Sequence, residues 1–552
     1  MSLDSGFKKN FLNPKAESKN IQEYIDGFDI VIGHNITAFD RPVLEEHLGI
    51  SFECVEVVDT LVMSRLYNPQ LDGGHSLKAW GERLKFPKSE HDDWTKLSDE
   101  MIKYCEIDVE VTGKLYTKLV SLLSEFPGES VELEHKVQCI ISKQERTGWL
   151  FDTEKAFDLQ AQIKQRSIEV EKEVHKRFKP LPVFVKEITP KIKKDNTLSC
   201  VGLRFLGDDY DTVCGPFSRV DWPEFNLGSR QQIGRHLKFY GWKPKDFTEK
   251  GQPIVDEGVL SKTDIPEAIL IAEYLMLQKR SAQIQSWIEA VEEDGRVHGR
   301  INPIGAVTGR MTHSNPNMAQ VPASYSPYGT ECRECWIVPK GYKLVGIDAA
   351  GLELRMLAHY MDDKEYTYEV TNGDVHTANQ KAAGLATRDN AKTFIYAFLY
   401  GAGDAKIGSI VGGSKRDGAE LKEKFLTNTP SLRTLRERVL RATKRGHLRG
   451  LDGRRLVIRS EHAALNTLLQ SAGAIVMKKS LTILDEYANI HGIDYSFVGN
   501  IHDEFQVEVR EAHAEKFGWL AVECIKAAGD RLNLRCPLDG EYKVGDNWAS
   551  TH

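Results

Sequence analysis

The chain changes texture along its length. Residues 1 to about 130 carry short apolar runs closed by turns: Ile30-Val31-Ile32 before Gly33-His34-Asn35, and Val57-Val58 before Asp59. Such runs predict strands alternating with helices. Ser98-Asp99-Glu100 predicts a helix start and puts Tyr104 and Asp108 one turn apart on one face. From about 131 apolar residues recur at helical intervals. They predict a helix over 131–147 and a second, capped by Asp152, running to about Phe178. Over 179–223 prolines, the cluster Lys191-Ile192-Lys193-Lys194 and two cysteines break the pattern, as an inserted small subdomain or a loop would. Helical spacing returns at 225–232 and again from Tyr274 to Val291.

Three later stretches combine pattern with chemistry. Leu344-Val345-x-Ile347 predicts a buried strand, and Leu354, Leu357, Ala358 and Met361 a helix. Asp348 lies between them, followed by Ala349-Ala350-Gly351. Small neighbours let a hard cation reach both the carboxylate and a backbone carbonyl; a helix cap is the alternative. Next, Arg388, Lys392, Tyr396 and Tyr400 recur every fourth residue behind Thr387, a good N-cap, and Gly401-Ala402-Gly403 ends the helix. Two cations in its first turns oppose the helix dipole, so they suit a bound anion such as a triphosphate. A solvated basic face is the other reading. Finally, Phe505, Val507 and Val509 alternate with Gln506 and Glu508, which predicts a strand. Gly499-Asn500 predicts the turn before it, with Asp503 and Glu504 at the turn's end, where a polar hairpin tip is the plain alternative. The turn-rich stretch 305–317, with Arg310, His313, Asn315 and Asn317, suits phosphate or minor-groove contacts as well as a polar surface loop.

Composition bounds these readings. A length of 552 residues predicts about three to four domains. No apolar run approaches the ~18 residues of a membrane span, and the polar N-terminus lacks a secretory apolar segment. Nine scattered cysteines suit a reducing compartment, and the single Cys332-x-x-Cys335 pair lacks the second pair a zinc site needs. The net charge of −7 leaves nucleic-acid binding to local patches, such as the basic runs at 441–449 and 454–455.

The motifs His34-Asn35-x-x-x-Phe39-Asp40 and Tyr104-x-x-x-Asp108 resemble the 3'–5' exonuclease domain attached to many DNA polymerases. The resemblance implies metal binding by Asp40 and Asp108 and orientation of the attacking water by Tyr104. The Asp-x-Glu pair of that family's first strand has no counterpart upstream. The domain is therefore expected to be incomplete, and to proofread poorly unless another polypeptide supplies the rest. Asp348-x-x-Gly351-Leu352-Glu353-Leu354-Arg355, Arg388-x-x-x-Lys392-x-x-x-Tyr396-x-x-x-Tyr400-Gly401 and His502-Asp503-Glu504, in that order, resemble family A DNA polymerases of the replicative kind found in short-tailed T-odd bacteriophages.

That resemblance implies an α/β right-hand polymerase, with a palm sheet, helical fingers and thumb, and the incomplete ribonuclease-H-like exonuclease domain. The implied domains are 1–130 exonuclease-like, 131–295 thumb with its insertion at about 179–223, 296–360 first palm part, 361–465 fingers and 466–552 second palm part. The implied reaction is template-directed addition of deoxynucleotides to a primer 3'-hydroxyl in DNA replication. Asp348 and Asp503, with the Ala349 carbonyl, would hold two Mg2+ ions, with Mn2+ as a substitute. Arg388, Lys392 and His376 would contact the triphosphate, and Lys392 would protonate the leaving pyrophosphate. Tyr396, with Tyr400 beyond it on the stripe, would sense the sugar 3' position, and Glu353 would exclude the 2'-hydroxyl. Arg310, Asn466 and Gln470 would touch the minor groove or template. His502 and Glu504 would support the primer end or the second metal. Implied partners are primer-template DNA, deoxynucleoside triphosphates, a processivity protein at the thumb insertion and a replisome helicase and primase, in a (host) cytoplasm and with no membrane. A phage-type RNA polymerase and a non-catalytic DNA clamp remain as rivals. Glu353, Tyr396 and the exonuclease remnant speak against the first, and the carboxylates and cationic helix against the second.

Overall fold

The computed structural model describes residues 1–86 and 91–552. The chain forms two units, one of residues 1–152 with 290–552 and one of residues 153–289. In the first unit β1 (Ile30–Gly33) pairs in parallel with β2 (Glu56–Asp59), with α1 (Asp40–Leu48) between them and α2 (Thr60–Tyr67) following. Asp59 explains the local shape. Its buried carboxylate accepts the N–H groups of Asn35 (2.8 Å), Thr37 (3.1 Å) and Leu61 (2.9 Å), so it ties the turn after β1 to the start of α2. α3 (Asp99–Leu122) starts where Ser98 Oγ accepts the Met101 N–H at 3.2 Å. α4 (Gly128–Thr147) turns Leu133, Val137, Ile140 and Ile141 into the main core, and with them the buried Glu134.

The second unit is built on two long helices. α5 (Thr153–Arg177) joins α7 (Pro266–Glu289) through Gln160–Gln285 (2.8 Å) and Arg166–Glu273 (2.7 Å). α7 starts at Pro266, ahead of the expected Tyr274, because proline is well suited to a first helical turn. Between them, within the 179–223 stretch, β3 (Val183–Ile188) pairs antiparallel with β4 (Phe217–Asp221). α6 (Arg230–Phe239) follows, capped by Ser229.

The first unit resumes with a four-stranded antiparallel sheet in the order β6 (Tyr495–Ile501), β7 (Glu504–Arg510), β5 (Tyr342–Ala349), β8 (Gly540–Gly545). Glu504 stands opposite Asp348 on one side of β5 and Glu541 on the other. α8 (Leu352–Met361) leaves β5 through Gly351, and α9 (Val375–Ala383), α10 (Arg388–Leu399), α11 (Lys415–Asn428) and α12 (Pro430–Thr443) follow. α13 (Ala464–Ile490) and α14 (Ala514–Arg531) pack on each other, and α14 also lies against β5 and β8. Gly346 of β5 is held to glycine by a close approach: a Cβ there would lie 2.4 Å from the Thr551 carbonyl oxygen and 2.6 Å from Gln506 Nε2.

The turn expected at Gly499-Asn500 is absent. β6 runs through both residues, and the chain reverses at His502-Asp503 with His502 in the left-handed region at φ 58°. The register shifts between Phe497 and Gly499, and a Cβ on Gly499 would meet the Trp149 ring at 2.9 Å. That glycine marks a bulge under close packing, not a reversal. Nor does β7 present a polar outer face: Gln506 and Glu508 are buried, and Arg296 donates both Nη groups to Glu508 at 3.0 Å.

Candidate active site

Asp348 sits at the end of β5, and Asp503 in the turn between β6 and β7. The Ala349 N–H donates to the Asp503 carbonyl at 3.1 Å, which locks the strand end to the turn. Partial desolvation, then the negative charges of Asp503 and Glu504, pushes the Asp348 carboxyl up to about 7. Glu504 behaves differently. Burial pushes it up, but it is overcome by His552 (Nδ1 to Oε2, 3.0 Å), Gln506 and Trp548 (Nε1–H to Oε1, 2.7 Å), so its pKa lies below the ordinary value. Glu504 is thus a fixed anion behind the two aspartates. Crowded carboxylates beside backbone carbonyls form an all-oxygen, anionic donor set, which suits a hard divalent cation. Among the described residues no group of three or more His, Cys, Asp or Glu side chains is already arranged as a metal cage.

α10 forms as its cap signal dictates, with Thr387 Oγ1 accepting the Asn390 N–H at 3.1 Å. Ala391, Phe394, Ile395 and Phe398 are buried, and the opposite face carries Arg388, Lys392, Tyr396 and Tyr400. Lys392 is exposed and has no ion-pair partner among the described residues. Arg388 donates Nε–H to Asp374 Oδ2 at 2.7 Å. His376, on α9, has its pKa lowered by burial and by the charges of Arg388 and Lys392, and its ring lies 6.3 Å from that of Tyr396. Tyr396 is raised by burial, then by the charges of Glu353 and Asp503. Glu353, in the first turn of α8, accepts the Tyr400 hydroxyl at 3.0 Å through Oε2, while its buried Oε1 has no partner among the described residues. Burial raises its pKa, partly offset by Tyr400 and Arg310.

Arg310 also lowers His502, second to desolvation, so the 305–317 stretch reaches the same cleft. Asn466 and Gln470 lie one turn apart and half-buried on α13, with Asn466 Oδ1 unpartnered among the described residues. Asp40 opens α1, raised by burial and by Asp59. Asp108, on α3, lines an open cavity of about 560 Å³ with His34, Asn35, Arg65 and His75, and Asp40 is not among the residues lining it. Tyr104 lies in a ring cluster with Trp94 (5.3 Å) and His91 (5.9 Å).

Sequence reasoning missed the groups that hold Glu504, since Trp548 and His552 lie 44 or more residues away with no local pattern to announce them. It also missed Asp374, although a Gly-Asp before a helix is a readable cap signal.

The fold and this cleft define a nucleotidyltransferase of the polymerase class. The sequence model of DNA polymerase family A matches residues 216–550, and the chain belongs to that family: it is a DNA-directed DNA polymerase. Enzymes of this family work with divalent metal ions. The chain is 38% identical to the DNA-directed DNA polymerase of Escherichia phage T7, over 95% of this chain and 92% of that protein. It is likewise 38% identical to that of Enterobacteria phage T3, over the same shares. Its fold matches the POL domain of Pol1 from M. smegmatis, solved in complex with DNA primer-template and dNTP, with a TM-score of 0.74. At 20% identity over 91% of this chain and 84% of that one, this likeness concerns the fold alone.

Proposed function

We propose that the cleft at Asp348 and Asp503 adds deoxynucleotides to a primer 3'-hydroxyl on a DNA template. The observation that carries this reading is the locking of β5 to the 502–503 turn through Ala349 and Asp503 at 3.1 Å, with Tyr396 of α10 within electrostatic reach. Asp348, Asp503 and the Ala349 carbonyl would hold two Mg2+ ions, with Mn2+ able to replace them. When bound, such ions favour the ionised 3'-hydroxyl and neutralise charge on the transferring phosphoryl group.

The chain's own residues supply the rest. Arg388, Lys392 and His376 take the triphosphate, and Lys392, without an ion-pair partner among the described residues, gives a proton to the departing pyrophosphate. Tyr396 packs at the sugar 3' position. Glu353, held by Tyr400, occupies the space a 2'-hydroxyl would need. Arg310, Asn466, Gln470 and His502 line the primer end, and Glu504 steadies the turn that carries Asp503. Residues 131–295 serve as thumb, 296–360 and 466–552 as palm, and 361–465 as fingers.

The β3–β4 hairpin, with Phe184 and Trp222 exposed, would receive a processivity protein, and a helicase and primase would complete the replisome in the host cytoplasm. No helix among the described residues is long and apolar enough to cross a membrane. Residues 1–130 would proofread weakly, since the stretch before Asp40 offers no Asp-x-Glu pair to complete a two-metal site.

Primer extension tests the reading. Extension with deoxynucleotides that needs Mg2+ and vanishes in both Asp348→Asn and Asp503→Asn is expected. Activity retained in either variant would overturn it. Preference for ribonucleotides would instead point to an RNA polymerase. Rapid Mg2+-dependent digestion of single-stranded DNA, lost in Asp40→Ala, would overturn the proofreading part.

A further inference from the structure

One acid in the 361–465 region holds several groups at once. Asp374 stands immediately before α9. Its Oδ1 accepts the N–H groups of His376 (3.1 Å) and Thr377 (3.4 Å), and its Oδ2 accepts the Thr377 hydroxyl (2.7 Å). Its own N–H donates to Glu369 Oε2 at 3.2 Å. The helix start thus fixes the carboxylate, and the same Oδ2 then accepts the Arg388 Nε–H at 2.7 Å.

Capping alone does not call for this arrangement. Asparagine, serine or threonine caps a helix as well as aspartate, and Thr387 does so for α10. Stability does not explain the ion pair either, because both side chains are about half exposed and such pairs contribute little. The choice of nitrogen is more informative. A guanidinium is a rigid planar fork, and capture through Nε fixes its plane while leaving Nη1 and Nη2 without a partner among the described residues. A free arginine would lose much rotamer freedom on meeting a phosphate, and one already held loses less. The same carboxylate also fixes the turn that carries His376.

We infer that Asp374 is a positioning residue for the incoming nucleotide: it holds Arg388 by Nε and the His376 turn by its backbone, so that both present their free nitrogens to one triphosphate. This rests on the reading of Arg388 as a triphosphate contact. The opposite role, an internal anion that competes with the triphosphate, would be served better by a carboxylate engaging the two Nη groups.

The test is single-nucleotide primer extension by the full chain. Asp374→Asn keeps the cap and removes the charge. It raises the KM for dNTP by about five- to tenfold, with kcat within about twofold and primer-template affinity unchanged. Arg388→Ala raises KM at least as far, and the double variant goes no further than Arg388→Ala, because both act through one contact. A lower KM in Asp374→Asn makes the acid a competitor and overturns the inference. Multiplying effects in the double variant also overturn it, while leaving Arg388 as a triphosphate contact. An unchanged KM in Arg388→Ala removes the reading of Arg388 itself, and this inference with it.

Discussion

Glu134→Gln should damage this protein far more than a surface charge change. Glu134 is fully buried in α4 and accepts Lys478 Nζ at 2.7 and 2.8 Å and Arg454 Nη1. Arg454 also donates to Asp452, through Nε and through Nη2 at 2.7 Å. The four charges cancel, and all four side chains are almost wholly shielded from water. Neutralising Glu134 leaves two buried cations facing one anion, and Lys478 loses the carboxylate it pairs with directly.

Breaking a buried pair in this way costs about 3–5 kcal/mol. Burial already pushes the Lys478 ammonium down to about 8 with Glu134 beside it, so in the variant the amine deprotonates more easily. Unfolded, Lys478 binds its proton up to its ordinary pKa near 10.4. Above the folded value the unfolded chain therefore holds the extra proton, and the stability of the variant recovers as pH rises from below 8 towards 10. Urea unfolding of the full chain at several pH values measures this, compared transition by transition because so large a chain need not unfold in one step. Glu420→Gln, which breaks the exposed Arg416–Glu420 pair, is the control and should stay within about 0.5 kcal/mol. Pairing Glu134→Leu with Lys478→Met should restore most of the loss. Equal shifts for Glu134→Gln and Glu420→Gln, or no relief in the double variant, would refute the argument.

Lys392→Ala should slow nucleotide addition about 10²-fold and leave duplex binding nearly intact, as single-turnover extension and a filter-binding assay would show; equal losses in both would contradict its role. Tyr396→Phe should make dideoxynucleotides poorer substrates by about tenfold in chain-termination assays, because the phenol no longer stands in for the missing 3'-hydroxyl. His313, pushed down to about 4 by burial and then by His502, stays neutral in the fold while the unfolded chain protonates near 6.5. Stability should fall as pH drops from about 6.5 towards 4, by up to about 1.4 kcal/mol per pH unit, and His313→Gln should flatten that slope.

The features legible in the sequence were those written in short range. The four-residue repeat from Arg388 to Tyr400 and the cap at Thr387 state α10 outright, and the alternation after Glu504 states β7. What escaped was non-local. The Glu134–Lys478 contact joins residues 344 positions apart, and nothing periodic in the sequence sets that carboxylate apart from the other polar residues of its helix. Gly499-Asn500 misled because a bulge glycine and a turn glycine look alike until the Trp149 ring is placed beside one of them. Asp59 looked like one more strand-end acid, yet three backbone N–H groups occupy its carboxylate.

The placing of β5 between β7 and β8 has a consequence for synthesis on the ribosome. Asp348 is translated well before either neighbour, and the strands that frame it, residues 504–510 and 540–545, emerge only after all the intervening helices. Nascent chains must keep an apolar strand waiting through that interval, the stage at which an unpaired edge is open to aggregation. Translation interrupted anywhere before residue 545 yields a polypeptide whose central strand lacks a complete partner on one side, so partial products should be inert and sticky rather than partly active.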